Sequence, residues 1–194
     1  SGIPPGSTYG YRADGIWDPL AGLYYNPNKL LLDPYARRID GPTNYHPSLH
    51  SKTEEGAMDP GDSSPHAPRA FVPDWNHYHW EGDTPLRIPM TDTVITELHV
   101  KGFSKLNPDV PEAIRGTYAG LAHSASTDYL RELGITTVQL LPVHQHMDDG
   151  FLLEKGLTNY WGYNTIGFFA PEARYAASDD PVTEFRDMVK ALHK

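Results

Sequence analysis

The feature that most constrains this chain is a change of period after Pro89. Thr93 to Val100 alternates and is β-branched at Thr93, Val94, Ile95 and Thr96, the pattern of a strand. Ser124 to Leu133 places Ala125, Tyr129, Leu130 and Leu133 at near-helical spacing, and Gly134 is a stop signal after them. Ile135 to Leu141 is a nearly continuous apolar run bounded by Gly134 and Pro142, as expected of a parallel strand buried on both faces. Asp180-Pro181 then opens a helix with Val182, Phe185, Val189 and Leu192 on one face, Pro181 at its first position and Glu184 in its first turn. Strand, helix, strand, helix is a pair of β/α units, which implies a parallel sheet covered by helices. Two strands leave open edges and an uncovered apolar face, so further strands are expected elsewhere. Two long loops, Gly102 to Gly120 and Val143 to Ser178, separate these elements.

The front half reads differently. Ser1 to Ser7 is a turn cluster, Tyr9 to Arg12 is strand-like, and Asp14-Gly15 and Asp18-Pro19 are tight connections. Asn26-Pro27-Asn28 precedes the apolar run Lys29 to Leu32, which Asp33-Pro34 closes. So few short strands cannot bury a sandwich core alone, because isolated hairpins are marginal in water. From Asp40 to Pro89 regular patterning disappears, and a connection this long is functional, disordered or domain-joining. We read it as a domain joint. It carries His46, His50, His66, His77 and His79 and an aromatic group at Trp75, Tyr78 and Trp80, but the histidine spacings match no ordinary zinc pattern.

Composition removes several classes. The chain has 194 residues, a net charge of −9 and no cysteine, so disulfides, thiolate metal sites and cysteine nucleophiles are out. That usage fits a reducing compartment, and a cytoplasmic location is expected. No apolar run approaches the roughly 20 residues of a membrane helix, and no signal peptide opens the chain, so no membrane partner is expected. Net negative charge without a basic stripe argues against nucleic acid. Twelve tyrosines and four tryptophans against six phenylalanines favour rings with a polar handle, suited to wet surfaces.

The loop after the second strand is the candidate site, because ligands of parallel α/β folds gather at the carboxyl ends of strands. Within it Asn159-Tyr160-Trp161-Gly162-Tyr163-Asn164 interleaves three rings with amides and a glycine. Aromatic faces stack on sugar rings, and Asn amides can both donate to and accept from hydroxyls. The same rings could instead fill a small core beneath the loop. His144, just past the strand, is placed to donate to sugar hydroxyls, or to pack as a loop histidine, and His146 lies beside it. Asp148-Asp149 could form an acid pair or a solvated turn, and Glu97 and His99 share one face of the first strand, as a titrating pair or as structural hydrogen-bonding groups.

Several long strings stand in fixed order: Tyr9-Gly10-Tyr11-Arg12, Asn26 through Tyr35, Glu97 through Phe103, Arg115 through Gly120, and Asn159 through Pro171. Together they resemble the bacterial glycogen-debranching enzymes, the isoamylase-like branch of glycoside hydrolase family thirteen in the α-amylase superfamily. The resemblance implies an α/β fold: an incomplete (β/α)₈ TIM barrel, here its first two β/α units, preceded by the C-terminal part of a β-sandwich. On that map residues 1–45 are the end of a sandwich resembling a family forty-eight carbohydrate-binding module. Residues 46–90 are the joint, and residues 91–194 open the catalytic barrel.

By the same resemblance Tyr163 is the tyrosine that stacks under the sugar beside the scissile bond, with Trp161, Asn164 and His144 as neighbouring substrate contacts. The implied reaction is retaining hydrolysis of α-1,6-glucosidic branches in glycogen or limit dextrin, with no organic cofactor and no metal. Retention needs a nucleophile and an acid about 5 Å apart. In the family the carboxylates follow the fourth, fifth and seventh strands, and this chain ends before the third. The expectation is therefore no catalytic residue here and no hydrolysis by the chain alone. The rival expectation is a non-catalytic α-glucan-binding fragment. The implied partners are the branched glucan, the remaining barrel and a C-terminal β-domain.

Overall fold

The structure, a computed structural model, describes residues 2–41, 43–74 and 78–194. In chain order its elements are β1 (Thr8–Tyr9), β2 (Trp17–Asp18), β3 (Leu23–Tyr24), β4 (Ile39–Asp40), β5 (Arg69–Phe71), β6 (Ile95–Leu98), α1 (Val100–Ser104), α2 (Tyr118–Ala122), α3 (Ser124–Glu132), β7 (Thr137–Leu140), β8 (His144–His146), α4 (Gly150–Leu153), β9 (Thr165–Pro171) and α5 (Pro181–His193). They fall into two compact units. One comprises Ser1–Asp74 with Gln145–Ala170, the other Trp75–His144 with Pro171–Lys194. The Trp75 and His77 positions singled out above lie outside the described residues.

In the second unit β6 and β7 pair in parallel, from Ile95 opposite Thr137 to Leu98 opposite Leu140. This is the β/α alternation expected from the period. Leu98, Val100, Tyr118, Leu121, Leu130, Tyr175 and Met188 form the buried core, with Phe185, Val189 and Leu192 of α5 packed against it. Helix α5 starts where Pro181 predicts: the Asp180 carboxylate accepts from the amides of Val182 and Thr183, the usual N-cap arrangement. Helix α3 ends at Glu132, and Gly134 takes φ +75° behind it. The second strand departs from expectation, because β7 alternates exposed and half-buried residues instead of being buried on both faces. Among the described residues β6 is its sole neighbour in the sheet, and β7 keeps an open edge there.

The stretch 102–120 is not a plain loop. Its α2 is only five residues long, too short to show a period, and is capped by Thr117, whose hydroxyl accepts from the Gly120 amide. A Cβ at Gly120 would collide with the Ile114 carbonyl oxygen and the Ser104 hydroxyl, so the close approach requires glycine. Glu184, expected to face the helix dipole, is buried and accepts from the amides of Ala119 at 3.1 Å and of Ala177 and Ser178 at 2.9 Å. It ties α5 to the start of α2. The Tyr118 hydroxyl is fully buried and donates to the Glu172 carbonyl at 3.0 Å; burial and the Glu172 charge push its pKa well up.

The first unit holds a three-stranded antiparallel sheet in the order β1-β5-β4. Its middle strand, β5, lies inside the stretch read above as irregular. Tyr9 and Ile39 both pair with Ala70. The buried apolar cluster is small: Ala36, Ile39, Ala70 and Ala170, with Tyr9, Leu32 and Ile166 against it. Polar side chains do most of the remaining fastening. Lys29, only 3% exposed, donates to the Ser48 and Gly61 carbonyls at 3.0 and 2.7 Å and lies 3.6 Å from Asp59. Asn26 donates to the Ser51 and Asp59 carbonyls and accepts from the Asn28 amide. The irregular residues 48–63 are thus clasped from the Asn26-to-Lys29 turn. No helix of the described residues is long and apolar enough to cross a membrane.

Candidate functional site

The stretch 145–170, expected as one long loop, carries most of β8 and β9 and all of α4. Strands β8 and β9 form a two-stranded sheet, and the Met147 amide donates to the Asn164 carbonyl at 2.9 Å just beyond it. Between them the chain leaves the sheet and returns through Asn159 to Asn164. The rings of that segment do not fill a core: Tyr163 is 72% exposed, Trp161 56% and Tyr160 41%. Tyr160 and Trp161 meet edge to face at 5.1 Å. Of the two readings left open above, the structure keeps the exposed one.

Exposed rings need a rigid frame to serve as a platform, and the frame here is polar and buried. Asn159 is its centre. Its amide donates to the Asp148 carboxylate at 2.7 Å, and its carbonyl lies 3.1 Å from His146 Nε2. A carbonyl can only accept, so Nε2 of His146 carries the proton. The Asn159 side chain accepts from the Gly162 amide at 3.0 Å and donates to the Met147 carbonyl at 3.4 Å. His146 and Asp148 are 1% and 2% exposed, so both sides of the Asn159 backbone are held by groups water cannot easily replace. Gly162 takes φ +79°, a left-handed conformation that suits glycine between the two rings.

Three of the four anticipated contacts, Trp161, Tyr163 and Asn164, share this segment. Asn164 is half-buried and donates to the Asp149 carboxylate at 3.0 Å, which commits its amide nitrogen to structure. His144 is half-buried at the first position of β8, in the other compact unit. Neither aspartate is poised as an acid pair: Asp148 is buried as a backbone acceptor, and Asp149 holds Asn164. The Glu97 and His99 pair is likewise structural. Exposed Glu97 accepts from Gln139 on β7 at 3.0 Å, while His99 caps α1 through the Gly102 amide and lies 3.2 Å from the Tyr175 hydroxyl. No cluster of metal-ligating side chains occurs among the described residues; His46 and His66 stack ring on ring at 3.5 Å.

His146 as a framing residue was missed as a specific role, and so was Asp148. Periodicity carries no trace of such a role, since three-residue β8 is too short to assign faces. What this segment can do chemically is bind: it offers ring faces and hydrogen-bonding edges, with its nearest carboxylates already engaged.

No family model matches the chain. Among curated proteins it is 50% identical over 190 residues to a glycogen debranching enzyme of Dickeya chrysanthemi, covering 98% of this chain and 28% of that protein. It is 47% identical over 195 residues to a glycogen debranching enzyme of Salmonella paratyphi B, covering 100% of this chain and 29% of that one. The chain therefore spans under a third of the length of the curated relatives it matches. Among solved structures it superposes on a type I pullulanase of Bacillus subtilis complexed with maltose, with a TM-score of 0.57, 25% identity, 84% of this chain and 21% of that chain covered. A Paenibacillus barengoltzii pullulanase complexed with maltohexaose and α-cyclodextrin gives a TM-score of 0.56, 26% identity, and 85% and 25% coverage. Along its whole length the chain is similar to one segment of these glycogen debranching enzymes.

Proposed function

We propose that this chain is a segment of a debranching glycoside hydrolase that acts on α-1,6-glucosidic branches of glycogen or limit dextrin, and that its own part is to hold glucan. The single observation that carries this is the exposed Trp161-Gly162-Tyr163 platform seated on the buried His146, Asp148 and Asn159 frame. Stacking on a ring face needs an accessible face in a fixed orientation, and the segment supplies both. In the complete enzyme Tyr163 stacks under the sugar next to the scissile bond, with Trp161, Asn164 and His144 as contacts beside it. Hydrolysis there proceeds by double displacement with retention, through carboxylates about 5 Å apart supplied by other segments.

In this reading residues 1–45 end an N-terminal β-sandwich, residues 46–90 connect, and residues 91–194 are the first two β/α units of the barrel. The parallel β6–β7 pair supports the last assignment. The cysteine-free composition accords with a cytoplasmic enzyme of glycogen breakdown. The second reading, glucan binding without chemistry, applies to the chain by itself and is favoured by the structural engagement of Asp148 and Asp149.

Titration of maltohexaose into the chain is the test. Binding weakened in Tyr163→Ala and Trp161→Ala is expected, and binding indifferent to both substitutions would overturn the platform. A reducing-sugar assay on branched dextrin is expected to show no turnover by the chain alone, and clear turnover would remove the division of labour proposed here.

A further inference from the structure

We propose that Asp149 is a positioning residue that sets specificity. It turns the Asn164 side chain so that the amide oxygen is presented outward, and the segment thereby selects a free sugar hydroxyl over an etherified or anionic one. This rests on the glucan-binding reading of the Trp161-Tyr163 segment above. Asn164 Nδ2 donates to the Asp149 carboxylate at 3.0 Å. A carboxylate only accepts, so the nitrogen of the amide and not its oxygen must meet it, and the freedom of an asparagine to flip is removed.

What this turn leaves outward is a bare acceptor. Asn164 Oδ1 makes no hydrogen bond among the described residues. Asn164 is half-buried, yet among the described residues Thr53 Oγ1 is the one buried side-chain polar atom without a partner, so Asn164 Oδ1 reaches solvent. It carries two lone pairs and no protein donor meets either. On the far side of the amide the Asp149 carboxylate adds negative charge, which favours an approaching donor and disfavours an approaching anion.

Both members of the pair are held through their own main chain. The Met147 amide donates to the Asn164 carbonyl at 2.9 Å, and the Asp149 carbonyl accepts from the Leu152 and Leu153 amides at 3.0 and 3.1 Å, where α4 begins. The Asn159 side chain closes the same turn, donating to the Met147 carbonyl and accepting from the Gly162 amide. Asn164 directly follows Tyr163, whose ring is largely exposed. Consecutive Cα atoms stand about 3.8 Å apart, less than a pyranose ring with its substituents spans. The ring and the acceptor therefore address one sugar, the first at its face and the second at its edge. A free hydroxyl donates to Asn164 Oδ1, whereas a methyl ether or a carboxylate sets lone pairs against lone pairs and leaves the acceptor unmet.

Calorimetric titration of the chain with maltohexaose and with its 2-, 3- and 6-O-methyl ethers tests this, because a methyl ether keeps the oxygen and loses the proton. For the unsubstituted chain, one of the three ethers is expected to bind about tenfold or more weaker than maltohexaose, the strength of one hydrogen bond. In Asp149→Asn the facing group both donates and accepts, so the Asn164 amide is free to turn an N–H toward the ether oxygen, and the gap should shrink to within about threefold. Asp and Asn are alike in size, so methyl bulk is equally hindered in both. The exchanged pair, Asp149→Asn with Asn164→Asp, restores an outward acceptor and should restore the gap. Affinities that fall alike for all four ligands in Asp149→Asn, with the ratio intact, reduce Asp149 to a structural support and overturn the proposal. So does an unsubstituted chain that takes all three ethers as readily as maltohexaose, and so does a lost gap that the exchanged pair fails to bring back. Tyr163→Ala is expected to weaken all four ligands together and keep the ratio. If it is inert while the ratio still collapses in Asp149→Asn, the platform falls and the orientation stands. No binding by the unsubstituted chain overturns both.

Discussion

The two compact units are held together in different ways. Around Tyr118 and Met188 the second unit has a conventional dry core, assembled by helices and strands whose apolar residues recur at regular spacing. Three of the four fully buried hydrophobic residues of the first unit's cluster are alanines, and its long irregular stretches are fastened by Lys29, Asn26, Asp33 and Ser63. The difference is between stability distributed over area and stability lodged in a few hydrogen-bonded side chains. The first kind degrades by degrees with lost volume, and the second fails when one donor is removed and several acceptors are left without it.

Substitutions that attack each mode should therefore differ in size and in reach. The largest loss is expected from Tyr118→Ala, which empties the centre of the second unit and should cost about 3–5 kcal/mol in chemical denaturation, as large-to-small aromatic changes in cores do. Next is Lys29→Met, which keeps the stem volume but leaves the Ser48 and Gly61 carbonyls without their donor. It should cost roughly 1–3 kcal/mol, and hydrogen exchange should accelerate mainly over residues 48–63. A Lys29→Met variant as stable as the parent would erase the contrast between the units.

A smaller effect, readable in its pH dependence, is expected at Tyr9. Its hydroxyl donates to Asp33 at 2.5 Å, and that bond, with burial, raises its pKa to about 12. An unfolded tyrosine titrates near about 10, so the folded state holds this proton more tightly. The stabilisation is complete below pH about 10 and is lost as pH rises through about 12. Tyr9→Phe should lower stability by about 1 kcal/mol at neutral pH and flatten the alkaline decline of the melting temperature. An unchanged alkaline slope would detach the Tyr9–Asp33 bond from the stability of the first unit.

The same contrast explains what could be read from the sequence. The parallel pair β6 and β7, α3 with its Gly134 stop and α5 with its Asp180-Pro181 start were legible because period and capping residues are local signals. Strand β5 and helix α2 were not: three and five residues carry no period, and β5 is a strand because Tyr9 and Ile39, about 60 and 30 positions away in the chain, flank Ala70. At the candidate site the rings were visible as a composition anomaly, whereas His146, Asp148 and Asn159 became a frame only through folding. Whether a residue pair such as Glu97 and His99 is functional or structural was also beyond pattern, since the answer lay with Gln139 and Tyr175, their actual partners.

The smallest stability effect is expected at the candidate site itself, and its smallness is the point. Tyr163 is 72% exposed and makes neither a core contact in the second unit nor a clasp in the first. Surface substitutions away from caps, cores and buried networks change stability by no more than about 0.5 kcal/mol. Tyr163→Ala should therefore leave the denaturation midpoint almost unmoved while weakening maltohexaose binding. Asp148→Ala is the counterpart: it removes the buried acceptor of the Asn159 amide, so it should lower both stability and affinity, and Asp148→Asn, which retains an acceptor oxygen, should restore part of each. If Tyr163→Ala instead destabilised the chain as Asp148→Ala does, the ring would be part of the frame, and an exposed side chain held only for packing would have no claim on a sugar.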